Sequence, residues 1–124
     1  MNQDPKAVAL QFLQLAASGQ VDEAYDNYVD MSGKHHNVYF PAGFPSLREA
    51  MKDAHKKSPN RLFTPKTVLA DGDLVAVHSH LIRAGSAPEI SVVHIFRIAK
   101  GKIVEMWDTG MELPSDSPNS DGEF

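Results

Sequence analysis

Three histidines and one aspartate stand inside short apolar runs, where a titratable side chain is out of place unless it has work to do. His78 and His80 lie in Leu74-Val-Ala-Val-His-Ser-His-Leu-Ile82, His94 in Ile90-Ser-Val-Val-His-Ile-Phe-Arg-Ile98, and Asp108 in Ile103-Val-Glu-Met-Trp-Asp-Thr109. Side chains two apart on a strand share a face. His78 and His80 are therefore expected together, with Leu74, Ala76 and Ile82. An apolar wall carrying a few convergent titratable groups is the sequence signature of a small-molecule pocket, and imidazole beside carboxylate is acid/base equipment. A structural role in the core is the competing reading for each histidine alone.

The elements that must position these groups follow from periodicity. Asp4-Pro5 is a helix start, and Val8, Phe12, Leu15 and Ala16 recur at helical spacing until Ser18-Gly19. A second short helix is predicted over about Val21–Val29. Ser46 and Glu49 have capping-box spacing, which predicts a third helix ending near Ser58-Pro59-Asn60. From about Arg61 the period becomes two. Strands are predicted over about Leu62–Ala70, Leu74–Arg83, Glu89–Ala99 and Lys102–Thr109, with a short one over Lys34–Phe40. Residues 114–124 have too little apolar content to fold alone, so residues 1–113 are read as one domain followed by a tail without fixed structure. Helices first and a meander afterwards give an α+β fold with the helices on one side of a curved sheet.

Register decides which groups meet. A loop after Ile82 symmetric about Ser86 would set His78 opposite His94. A three-residue Ala99-Lys100-Gly101 loop with a glycine bulge would put Val104, Met106 and Asp108 on the face of His94 and Phe96, whereas a two-residue loop would send Asp108 to the other face. His80 is then expected at the pocket mouth. His35 and His55 read as exposed bystanders, and Tyr39, Phe40 and Phe44 as a loop covering the cavity. The second sheet face, expected to hold Val75, Val77, Ser79, Leu81, Ser91, Val93, Ile95, Ile103 and Trp107, is also apolar, which suggests a homodimer through the sheet.

Bulk properties exclude other classes. The 124 residues carry a formal net charge of −4 with no cysteine, and Lys or Arg never runs beyond two in a row. Nucleic acid and anionic membranes are unfavourable partners for such a surface, and thiolate chemistry and disulfides are ruled out. No apolar stretch reaches membrane-spanning length and the first residues show no signal pattern, so a cytoplasmic protein is the expectation.

The runs Asp71-Gly-Asp-Leu-Val-Ala-Val-His-Ser-His80, His94-Ile-Phe-Arg97 and Gly101-Lys-Ile-Val-Glu-Met-Trp-Asp108, with Gly33-Lys-His-His-Asn37 before them, resemble the SnoaL-like polyketide-cyclase branch of the nuclear-transport-factor-2-like superfamily. The resemblance implies a cone of three helices around a bent antiparallel sheet enclosing a pocket, no cofactor, and chemistry such as intramolecular aldol closure, isomerisation or hydration of an apolar carbonyl compound. It makes Asp108 the general base. His36 and His78 would line the cavity and polarise a carbonyl, with Tyr28 as a further lining residue. Proteins of this branch often carry aspartate where this chain has His94 and histidine where it has Met106. A His94–Asp108 dyad could replace that pair, or the cavity could bind a ligand without catalysis. A metal held by His78, His80 and His94 is a third reading, against which the family counts.

Overall fold

The computed structural model describes residues 4–124. Asp4 caps the first helix as its sequence suggests, its carboxylate accepting from the Lys6 amide at 3.2 Å, with Pro5 in the first turn. The chain then runs α1 (Pro5–Ala17), α2 (Val21–Tyr28), β1 (Val29–His35), α3 (Phe44–Lys57), β2 (Asn60–Asp71), β3 (Leu74–Arg83), β4 (Ile90–Ala99) and β5 (Lys102–Glu112). One five-stranded sheet has the order β1-β5-β4-β3-β2. Four strands form the antiparallel meander, while β1 lies parallel to β5, so the sheet is mixed. No helix among the described residues is long and apolar enough to cross a membrane.

Beyond small extensions of β2 and β5, two elements begin elsewhere than the sequence suggests. The short strand begins at Val29, directly after α2, and ends at His35, so Val38, Tyr39 and Phe40 lie in an exposed loop. The third helix starts at Phe44 with Gly43 as its cap residue, and Pro45 sits in its first turn. Proline at that position has no amide to satisfy and a preset φ, which outweighs the Ser46–Glu49 spacing.

The helices pack on one sheet face and seal it. Phe12 meets Tyr25 and Phe96 edge-on, at centroid distances of 5.4 and 5.8 Å, and Phe44 packs on Tyr25 at 6.1 Å. Val75 and Val77 of β3, Phe96 and Ile98 of β4, and Ile103 and Met106 of β5 complete the core. Such T-shaped pairs add about 0.5–1.5 kcal/mol each to the burial of the rings.

The β3–β4 register is one residue away from the symmetric loop. Leu81 pairs with Ile90 and Val77 with His94, so His78 sits opposite Val93. Eight residues separate the Leu81–Ile90 pair, an even number, and the loop is therefore centred between two residues instead of on Ser86. A slip of one reverses every side chain on β3 relative to β4. Val75, Val77, Ser79 and Leu81 thereby face the helices, and His78 and His80 face outwards.

The β4–β5 hairpin puts Met106 and Asp108 on the expected face by a different route. Lys100 and Gly101, with φ of 53° and 76°, form a two-residue turn between the paired Ala99 and Lys102. Ile98 pairs with Ile103 but Arg97 pairs with Glu105, so Val104 is an extra, bulged residue. That bulge shifts the rest of β5 by one. It sets Met106 opposite Phe96 and Asp108 opposite His94, on the helix-covered face.

Candidate active site

A cavity of about 330 Å³ lies between the concave sheet face and helices α1 and α3. Leu13 and Ala16 of α1, Met51 of α3 and Phe63 of β2 supply apolar wall; His94 and Asp108 supply chemistry from the sheet, and His55 from α3. The volume is at the lower end of small-molecule pockets, which span roughly 300–1,000 Å³.

Asp108 is half-buried, and its Oδ2 accepts from Asn37 Nδ2 at 3.1 Å. Asn37 is itself fixed. Its Oδ1 accepts from the Tyr39 amide at 3.0 Å, which orients the Nδ2 end toward the carboxylate. Its own amide donates to His35 Nδ1 at 3.1 Å, and His35 Nε2 donates to the Pro41 carbonyl at 2.9 Å. The loop after β1 is thus a small hydrogen-bonded scaffold with one free task, to present an amide donor to Asp108.

His94 is the cross-strand neighbour of Asp108, and its ring lies parallel to Phe96 at 5.7 Å. Its Nδ1 is shielded from water with no hydrogen-bond partner. Burial pushes the imidazole pKa down to about 4, against the Asp108 charge, which raises it. His94 is therefore uncharged at neutral pH and can act as a hydrogen-bonding group, not as a cation. Tyr25, fully buried in α2, donates to Met51 Sδ at 3.0 Å. Burial holds its phenol protonated, with its pKa pushed far up.

Several sequence-derived candidates lie elsewhere. His78 and His80 point to the outer face: His78 Nε2 is 2.8 Å from Ser91 Oγ and His80 Nε2 is 2.6 Å from Glu89 Oε1. The register slip separates them from His94, which also dissolves the proposed three-histidine metal set. Among the described residues, no three of His, Cys, Asp and Glu are grouped to hold a metal ion. His36 is exposed too, stacked on Trp107 at 5.0 Å with Nε2 2.6 Å from Glu105. That hydrogen bond is the largest influence holding the Glu105 carboxyl below its ordinary pKa. Tyr28 bonds Gln11 in the α1–α2 groove, away from the cavity. Phe96 and Met106 share the inner face but are buried in the core beneath the cavity.

His35 and His55 are not the exposed bystanders the sequence suggests, and Asn37 has a role that sequence reasoning did not assign. The strand alternation that exposes His36 buries His35 at 7% accessibility, with Asn37 two further on. His55 is half-buried on the cavity wall, its Nδ1 also shielded and unpartnered. Its ring fills the space beside Gly19, where a Cβ would fall 2.3 Å from Nε2. Tyr39 remains 88% exposed and Phe44 is core, so that loop does not roof the cavity.

The SnoaL-like domain family model matches residues 9–106, ending just short of Asp108. No curated protein matches the chain. Among solved structures, a SnoaL-like polyketide cyclase from Agrobacterium tumefaciens superposes with a TM-score of 0.72 at 16% identity, covering 88% of this chain and 92% of that one. An NTF2-like protein of unknown function from Burkholderia xenovorans gives 0.71 at 17%, covering 92% and 87%. An LEH-like epoxide hydrolase from M. tuberculosis gives 0.68 at 16%, covering 84% and 80%. At these identities the likeness concerns the fold, which is NTF2-like. With most of its length matched by the family model, the chain belongs to the SnoaL-like domain family.

Proposed function

We propose that the cavity binds a small, largely apolar carbonyl compound and that Asp108 removes a proton from the carbon next to the carbonyl. The observation that carries this reading is a carboxylate held by Asn37 at 3.1 Å in the wall of a mainly apolar cavity, with an uncharged imidazole as its strand partner. The C–H electron pair passes into the enolate and the proton to the Asp108 carboxylate. His94 donates a hydrogen bond to the carbonyl oxygen, whose charge grows as the enolate forms. Because an unpartnered buried acceptor is tolerated better than an unpartnered N–H, the shielded Nδ1 favours the tautomer that carries its proton on Nε2.

From the enolate two outcomes balance. Return of the proton to a different carbon isomerises the compound. Attack of the enolate carbon on a second carbonyl of the same molecule forms a C–C bond and closes a ring, the new alkoxide taking the proton back from Asp108. The named neighbours include a cyclase and an epoxide hydrolase, so this fold accommodates more than one acid/base reaction. The test is exchange of the α-protons of 1-tetralone for deuterium in D2O, followed by NMR. The wild type should exceed the buffer rate, and Asp108→Asn should lose about 10²–10⁴-fold of the enhancement. Equal rates for the two proteins would overturn the assignment.

A further inference from the structure

The outer sheet face carries a second built arrangement, which the cavity does not use. His78 and His80 of β3, Ser91 of β4 and Lys66 at the β2 bulge surround the returning tail. Ser91 is buried at 6% accessibility. Its hydroxyl lies 2.8 Å from His78 Nε2 and donates to Glu123 Oε2 at 2.6 Å. A hydroxyl has one proton, so with that proton given to Glu123 it accepts from His78, and the direction of the relay is fixed. The Glu123 carboxylate is also 3.5 Å from His78 Nε2. The Phe124 ring stacks on His80 at 4.7 Å and packs at a tilt against His78 at 5.0 Å, and Lys66 Nζ stands 5.8 Å from its centroid.

Each part of this surface reads a different feature of its occupant. Ser91 donates to an anionic oxygen and is itself backed by the His78 donor, while the two imidazoles and the lysine accept an aromatic ring. We propose that this surface is a docking site for an acidic residue followed by an aromatic one, occupied by the chain's own Glu123–Phe124, so that the tail is a detachable strap over the outer face. The segment between Glu112 and Glu123 contains Pro114 and Pro118 and forms no helix or strand, so the side-chain contacts at its end fasten it. Elsewhere on this face Trp107 is covered by His36 and Arg97, and Ile95 and Met111 remain 37% and 52% exposed.

The test is binding in trans. A fluorescent peptide with the sequence of residues 113–124 is titrated into the full-length wild type and into a full-length E123Q/F124A double variant. Both changes lie in the tail and leave the folded elements intact. A tethered tail competes at millimolar effective concentration, so the double variant should bind the peptide on the order of ten-fold or more tighter than the wild type. A peptide carrying the same two changes should not bind either protein, and Ser91→Ala in the double variant should weaken the unmodified peptide. Equal binding to both proteins, or none to either, would overturn the proposal. So would a double variant that self-associates and excludes the peptide, because the face would then be a contact between copies and not a peptide site.

Discussion

Replacing His94 with glutamine should make the fold less sensitive to mild acid. In the folded chain burial pushes the His94 pKa down to about 4, whereas the unfolded chain titrates near the ordinary 6.5. The sign follows from proton counting. Between these values the unfolded state binds a proton that the folded state refuses, so stability falls as pH drops from 6.5 and levels off below about 4. Linkage between the two pKa values gives a loss of about 2 kcal/mol from pH 7 to pH 5, approaching about 3 kcal/mol at pH 4. Urea unfolding at pH 7 and pH 5, followed by circular dichroism, yields the difference for each protein, and subtracting the glutamine variant removes the contribution of the other histidines. The wild type should lose about 2 kcal/mol more than the variant over that interval. A difference below about 0.5 kcal/mol, or an NMR titration placing His94 above pH 6, would refute the claim that the cavity holds this imidazole uncharged.

Asp108→Asn should lower the His94 pKa further, since the Asp108 charge is what opposes burial; a rise by NMR would contradict the electrostatics. Asn37→Ala removes the amide from Asp108 and should cost about 1.5–3 kcal/mol in urea unfolding, with a larger fractional loss in α-proton exchange than Lys34→Ala. Gly19→Ala combines a φ of +91° with a Cβ 2.3 Å from the His55 ring, so it should destabilise by about 1–3 kcal/mol and move the His55 resonances. Phe12→Ala removes the ring between Tyr25 and Phe96 and should cost about 3–5 kcal/mol.

Local signals carried the fold well. The Asp4-Pro5 start, the apolar stripe of α1 and the change of period near residue 60 are properties of neighbouring residues, and each element they imply is present. Pairing between strands is not local in that sense. One residue more or less in the loop between Leu81 and Ile90 decides whether His78 joins His94 or turns away, and nothing in residues 82–89 fixes that count beyond the turn chosen. The same parity, acting along β1, exchanged the roles of His35 and His36. Asp108 reaches the expected face because two effects cancel: the turn is shorter than the sequence suggests and a bulge at Val104 restores the phase. His55 reads as exposed from the sequence because its partner surface is Gly19, 36 residues away, and helical periodicity alone gives no sign that a glycine has left room for a ring.

The most direct test of the central claim compares two substitutions on opposite faces of one sheet in the same assay. Deuterium exchange into 1-tetralone is measured for the wild type, Asp108→Asn and His78→Asn, each verified as folded by circular dichroism. With the chemistry at the Asp108–His94 face, exchange falls by about 10²–10⁴-fold in the first variant and stays within two-fold of wild type in the second. Exchange that survives loss of Asp108, or that disappears with His78, would contradict the account.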